Sequence, residues 1–269
     1  MTHPRSTRPE SLVERFFLRQ PLQLATVELD GPEAHHLLHV LRAKTGDRLG
    51  LFNGGGDEAL AEIGRIRKRS AELHIVETWT TPPDPRELTL ATALPKGDRT
   101  HWLIEKATEL GVTRIVPLRT TRSIVEPGES KLDKLEQTVI TACKQCGRSR
   151  LMPINRLTPF ADLLSEFVPR EGEASAEPSS AIKTWPEPRP PVTLIAHPNA
   201  PQSVSQALSQ TAALARSTLM LIGPEGGFTD DEFSSAVASG ATPVSLGPLI
   251  LRIETAAIAV AAAWRLSMS

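Results

Sequence analysis

Five residues, Thr81-Pro82-Pro83-Asp84-Pro85, divide the chain into two stretches with different hydrophobic periods. Prolines fix φ and lack amide donors, so neither a helix nor an interior strand runs through such a segment. Before it lie short runs rich in Phe, Leu and Val. Arg15–Leu18, Gln23–Leu29, Arg48–Phe52, Ala59–Arg67 and Glu72–Trp79 are expected strands. Gly31-Pro32 opens a helix that carries Leu37, Leu38, Val40 and Leu41 and ends near Lys44, with Pro32 in the first turn where its missing N–H does no harm. Asn53-Gly54-Gly55-Gly56 supplies a turn. Residues 14–80 therefore read as a small β-rich barrel or sheet with one helix, after a loose polar tail at 1–13, and 81–85 as a linker.

After the linker, residues 86–269 alternate strand with helix. Leu88–Leu94, Arg114–Leu118, Val192–Ala196, Thr218–Ile222 and Pro243–Leu246 are expected strands. Two of them, Val192–Ala196 and Thr218–Ile222, are near-continuous apolar runs of the kind covered on both faces. Helices are expected at Arg99–Leu110 and Lys131–Cys146, stopped by Gly111 and Gly147, and at 201–215, 229–239 and 254–267. The pattern predicts an α/β domain with a mainly parallel sheet. Residues 170–191, rich in Pro, Glu, Ser and Ala, read as a flexible surface insertion.

The 269 residues are 40% hydrophobic, enough for real cores, and 30 basic groups nearly balance 31 acidic ones. That balance excludes a highly basic nucleic-acid coat protein and an acidic disordered chain. No apolar run approaches the roughly 18 residues of a membrane span. MTHPRSTRPE lacks a signal peptide's apolar stretch, and two cysteines make no disulfide framework, so a soluble cytoplasmic protein is expected. Charge is uneven: residues 81–170 hold 14 basic and 11 acidic groups. Within them, 142–156 carries Lys144, Arg148, Arg150 and Arg156 and no acid. Such a run is commonly a solvated helix end, the reading favoured on charge alone; the sharper reading is a phosphate-binding patch.

Two loops carry the chemistry. Gly223-Pro224-Glu225-Gly226-Gly227-Phe228-Thr229 follows a buried strand and opens a helix, with Thr229 and Glu232 spaced as a capping box. Its glycines exceed what a turn needs, and ligands of open α/β sheets bind at the carboxyl ends of strands. It has neither dinucleotide-fingerprint nor P-loop spacing. Leu246-Gly247-Pro248-Leu249-Ile250-Leu251-Arg252-Ile253-Glu254 also joins strand to helix. Arg252 and Glu254 there read equally as a salt bridge at a helix start or as groups facing a cofactor or anionic substrate. Cys143-Lys144-Gln145-Cys146 lacks a second ligand pair for zinc and sits at a helix end, so its thiols are expected to be small buried groups. His35, His36 and His39 have no acidic partner or HExxH pattern and read as surface or packing side chains.

In order along the chain, Lys96-Gly97-Asp98-Arg99, Ile104–Val112, Thr121-Arg122-Ser123, Gln145–Arg150, Gly223–Phe228 and Leu246–Ala256 resemble the ribosomal RNA small subunit methyltransferase E family, which methylates N3 of a uridine in 16S ribosomal RNA. The resemblance covers about residues 14–267 apart from the insertion. It implies a SPOUT methyltransferase domain with a C-terminal trefoil knot, a PUA-like RNA-binding domain before it, S-adenosylmethionine as methyl donor, and a homodimer. It places the cofactor among Leu221, Ile222, Gly223, Gly226 and Gly227 of the first loop, and Leu246, Gly247, Leu251 and Arg252 of the second. Leu249 stands where the family usually has Arg, Ile253 where Thr is common, and Lys144 where Glu is common.

For the chemistry so implied, Arg252 is the first candidate to stabilise a uracil anion. Glu254 would orient Arg252 or accept the proton, and Glu225 is a second acid–base candidate. Arg122, Arg148 and Arg150 are candidates for RNA phosphate contact. No metal is required. An RNA-binding protein without catalysis, a methyltransferase for another RNA nucleotide, and a nucleotide-dependent oxidoreductase are the alternatives; the missing fingerprint argues against the last.

Overall fold

A computed structural model describes residues 14–167, 192–212 and 217–267. The tail expected at 1–13, the insertion at 170–191 and the end of the helix expected at 201–215 lie outside the described residues. The chain forms two compact units: one holds residues up to Asp84 together with Ile140–Leu151, the other holds Pro85–Val139 and Met152 onward.

The first unit contains β1 (Arg15–Phe17), β2 (Thr26–Leu29), α1 (Gly31–His35), β3 (Arg48–Phe52), β4 (Asp57–Ile66) and β5 (Ala71–Thr80). They make one sheet of order β1-β3-β4-β5-β2, in which only β1 and β3 run parallel. Side chains of alternate strand positions gather into one core with Phe16, Leu29, Leu37, Leu51, Ile63 and Leu73. The helix is shorter than expected. It passes into a π-helical turn at His36–Val40 and stops before Arg42, which has φ 54. A non-glycine residue in the left-handed region cannot continue a right-handed helix.

Residues 140–151 join this unit around Arg15, whose buried ion pair the sequence did not advertise. Arg15 Nη2 donates to Glu58 Oε2 at 2.8 Å, with both side chains at most 7% exposed. Arg15 Nη1 donates to the carbonyls of Cys143 and Arg148 at 2.9 and 3.2 Å. Lys144 Nζ lies 2.8 Å from Glu33 Oε2. Arg150 donates from Nε and Nη2 to the Thr81 carbonyl at 3.1 and 2.8 Å. The run of glycines at 54–56 is more than a turn: a Cβ on Gly56 would lie 2.5 Å from the Arg150 guanidinium, and one on Gly54 2.8 Å from Leu151 Cγ. Small residues let this segment lie against the strand end.

The second unit contains β6 (Glu87–Thr92), α2 (Asp98–Glu109), β7 (Arg114–Arg119) and the start of α3 (Glu129–Cys146), then β8 (Thr158–Pro159), α4 (Phe160–Phe167), β9 (Val192–Ala196) and α5 (Val204–Ala212). β10 (Ser217–Ile222), α6 (Asp230–Ala238), β11 (Thr242–Val244) and α7 (Ile253–Leu266) complete it. Six parallel strands run in the order β11-β9-β10-β6-β7-β8. The expected parallel sheet is there, with β8 and α4 in addition. β6, β9 and β10 are buried along most of their length, as near-continuous apolar runs require. α7 packs against α2, α5, β6 and β10 and buries Trp264 completely. A fully buried side chain of this size contributes roughly 2–3 kcal/mol or more to holding that helix on the sheet. Among the described residues no helix is long and apolar enough to cross a membrane.

Candidate active site

β10 is central, and its carboxyl end is level with that of β6: Ile222 pairs in register with Thr92, and Ala93 N–H donates to the Ile222 carbonyl. The segment after β6 and the glycine loop after β10 therefore leave the sheet side by side. The glycine loop ends in α6, where the expected capping box is present. Thr229 Oγ1 accepts from Glu232 N–H at 3.2 Å, and Glu232 Oε2 accepts from Thr229 N–H at 2.9 Å. Glu232 Oε1 also accepts from the Thr121 N–H at 2.8 Å. Burial raises the Glu232 pKa, but the bonds from Thr229 and Thr121 outweigh it and hold the carboxyl below its ordinary value.

A cleft of about 280 Å³ lies where this loop meets the loop after β11 and the end of β9. Ile222, Gly223, Glu225, Gly226 and Gly227 line one wall, and Leu246, Gly247, Leu249, Ile250 and Leu251 another. Ala196, His197 and Pro198 close it from β9. Seven of the nine residues expected around a cofactor are thus brought together. Leu221 is not among them: it is fully buried in the core beneath, because successive strand residues face opposite ways. Arg252 is not a wall residue either; it is exposed at the cap of α7, between the wall residues Leu251 and Ile253.

Two roles are expected of Glu254, to orient Arg252 or to accept the proton; its carboxylate meets Arg99 and not Arg252. Glu254 and Arg252 are separated by two positions at a helix start, a spacing that does not place side chains face to face. Glu254 is buried and its Oε1 lies 3.4 Å from Arg99 Nη1, which is also 3.8 Å from Glu225 Oε1. Arg99, which faces both acids, is a residue that sequence reasoning left without a role. Its signal was its place in Lys96-Gly97-Asp98-Arg99, a charged run with a glycine between a strand and a helix. His197 was missed as well, although it directly follows a buried apolar strand.

Arg122 grips the glycine loop from outside, donating from Nη1 to the Gly226 carbonyl at 2.7 Å and to the Phe228 carbonyl at 3.3 Å. The basic run at 142–156 is engaged largely inside the first unit, through Lys144 and Arg150 as described. Cys143 is buried, which pushes its thiol up to about 12, whereas Cys146 is exposed, contrary to the expectation of two buried thiols. Cys146 shares the helix face of Ala142 and Cys143 but is the last residue of α3, where the chain leaves the core. Among the described residues no three metal-ligating side chains cluster.

A larger groove of about 1210 Å³ runs past the end of β7 and along α4 and α6. Its walls present Glu126, Asp231 and Glu232 against one arginine, Arg119, and it lacks a glycine loop. The smaller cleft has what ligand recognition uses: approachable backbone, apolar walls and a few convergent polar groups at strand ends.

A parallel sheet with glycine loops converging at its carboxyl edge defines a nucleotide- or cofactor-dependent α/β protein, and comparison with known proteins narrows the class. Residues 82–265 match the family model of an RNA methyltransferase domain, and residues 29–76 that of an RNA methyltransferase PUA domain. Ribosomal RNA small subunit methyltransferase E of Synechocystis sp. is 33% identical over 92% of this chain and 72% of its own length. The Bacillus subtilis protein of that name is 28% identical over 91% of this chain and 93% of its own. The crystal structure of the Neisseria gonorrhoeae protein of that name, bound to S-adenosyl methionine, superposes with a TM-score of 0.77 at 30% identity, covering 94% of this chain and 97% of that one. The chain belongs to the ribosomal RNA small subunit methyltransferase E family.

Proposed function

We propose that the protein transfers a methyl group from S-adenosylmethionine to N3 of a uridine in 16S ribosomal RNA. The observation that carries this reading is the cleft between two glycine-bearing loops at the edge of a parallel sheet, in a chain of this family. The residues present suit the cofactor. Exposed glycine backbone and apolar walls accept an adenosyl group, about 280 Å³ is near the lower end of roughly 300–1,000 Å³ for small-molecule sites, and Glu225 adds a carboxylate toward a cationic ligand. Gly223, Gly226, Gly227, Leu246, Gly247 and Leu251 would hold it. S-adenosylmethionine supplies a methyl group activated by a sulfonium centre.

The protein's own task is to make N3 a nucleophile. Uridine N3 must lose its proton, after which negative charge spreads over O2 and O4. Glu225, half-exposed on the cleft wall, accepts the proton. Arg252, exposed beside the cleft and without an ion pair among the described residues, stabilises the anion. A base splayed out of its stack reaches such a cleft more readily than a paired one. Arg122, Arg148 and Arg150 are the candidates for phosphate contact, and the first unit, as a PUA-like domain, adds RNA affinity. The reading includes a C-terminal trefoil knot in the second unit, a homodimer, a cytoplasmic setting and no metal. Mass spectrometry of 16S ribosomal RNA from a deletion strain, with and without the restored gene, tests it. A 3-methyluridine that disappears and returns with the gene supports it; a different methylated nucleotide doing so moves the target.

A further inference from the structure

Arg99 sits where helix energetics disfavours it. It lies in the first turn of α2, where the helix dipole is positive and anions are favoured, one residue beyond Asp98 and two beyond Gly97 at φ 63. Facing it, Glu254 has a side chain only 9% exposed, and its Oε2 is buried without a hydrogen-bond partner among the described residues. A buried carboxylate with an unmatched oxygen costs stability, and an apolar residue of similar volume would suit the core better. Two locally unfavourable placements that face one another mark a functional constraint.

Their geometry identifies it. A single nitrogen, Arg99 Nη1, lies 3.4 Å from the buried Glu254 and 3.8 Å from Glu225. Glu225 is 42% exposed and stands on a loop with three glycines, which cannot fix a side chain by itself. We propose that Arg99 is a positioning residue: anchored from behind by Glu254, its guanidinium holds the Glu225 carboxylate at the cleft wall. This rests on the reading of the cleft as the site of methyl transfer. Glu254 then acts through Arg99 and does not meet substrate, and Glu225 is the carboxylate that does. One nitrogen serves both carboxylates, and the rigid guanidinium plane fixes where that nitrogen stands, whereas a lysine ammonium sits on a flexible stem.

The test is a double-mutant cycle on the full chain, Arg99→Gln against Glu225→Gln, with Arg99→Lys beside it and folding checked by circular dichroism. Single-turnover methylation of small-subunit RNA and calorimetric affinity for S-adenosylmethionine are both measured. Misplacing one group should slow turnover about 10- to 100-fold in each single variant. The double variant should be no slower than the slower single, because both changes remove the same interaction. Arg99→Lys should recover part of the loss. Losses that multiply, or an Arg99→Gln enzyme at wild-type rate, overturn the proposal. Crystals of Arg99→Gln, which removes the shared cation, give a readout free of turnover: a Glu225 carboxylate displaced from its wild-type place supports the clasp, and an unmoved one refutes it. Absence of any methylation by the wild type sinks the functional reading alone, while the crystals still decide the clasp.

Discussion

Two alanine substitutions in one loop should have unequal effects on cofactor binding, because the space behind each glycine differs. A Cβ on Gly223 would lie 3.2 Å from the Phe228 amide nitrogen and 3.3 Å from the Gly227 carbonyl carbon. Both are backbone of the same loop, so relief requires the loop itself to move by a few tenths of an ångström. A Cβ on Gly226 would lie 3.2 Å from Arg122 Cδ, part of an exposed and flexible side chain that can swing aside. Overpacking of a tight site costs about 1–3 kcal/mol, which is about 5- to 150-fold if it falls on the binding-competent loop. Gly223→Ala should therefore weaken S-adenosylmethionine binding by about that factor. Gly226→Ala should stay within about fivefold, since an exposed charged contact contributes only about 0–1 kcal/mol. Isothermal calorimetry on the two variants, with melting curves to exclude unfolding, gives the answer. A Gly226→Ala variant weaker than Gly223→Ala, or Gly223→Ala at wild-type affinity, would refute the steric reasoning.

Arg252→Ala should slow the chemical step about 100- to 1,000-fold with cofactor affinity little changed, and single-turnover kinetics at near-wild-type rate would remove Arg252 from the site. Arg15→Met removes the cation paired with the buried Glu58, which keeps the Thr81 hydroxyl, and should cost about 3–5 kcal/mol in urea unfolding. The double variant Arg15→Met/Glu58→Leu should recover much of that, and no recovery would mean that the carbonyl contacts of Arg15 dominate. Glu232→Ala removes a capping box and the tie to Thr121, and should cost about 1 kcal/mol at neutral pH. Because the folded-state pKa of Glu232 is lowered from 4.5, its contribution is fully present above that value and is lost as pH falls through the lowered one, so wild-type and variant stabilities should converge in acid. A gap that persists in acid would contradict the assignment.

What the sequence made legible follows from how local each signal is. The parallel sheet was readable because β9 and β10 are near-continuous apolar runs, and the α6 start because Thr229 and Glu232 fix it within four residues. Most of the cleft was readable for the same reason: both loops announce themselves by glycine between a strand and a helix. What stayed hidden depends on distance. Arg15 and Glu58 are separated by 43 positions, and Arg99 and Glu254 by 155, so no window of sequence holds either pair. Residues 140–151 carry a helical and then a basic pattern that looks solvated, yet Lys144 and Arg150 take up partners at Glu33 and Thr81. A cut after the proline segment therefore does not isolate the first unit. A fragment from Arg86 onward would expose residues 140–151 without the acid and carbonyl groups that satisfy them, and its loss of RNA affinity would mix two causes. Point changes at exposed arginines separate those causes; truncation does not. The same consideration bears on the two acids beside the cleft: the resemblance offers Glu254 either as a partner of Arg252 or as a proton acceptor, whereas in the fold it is buried 3.4 Å from Arg99, and Glu225 is the carboxylate on the cleft wall.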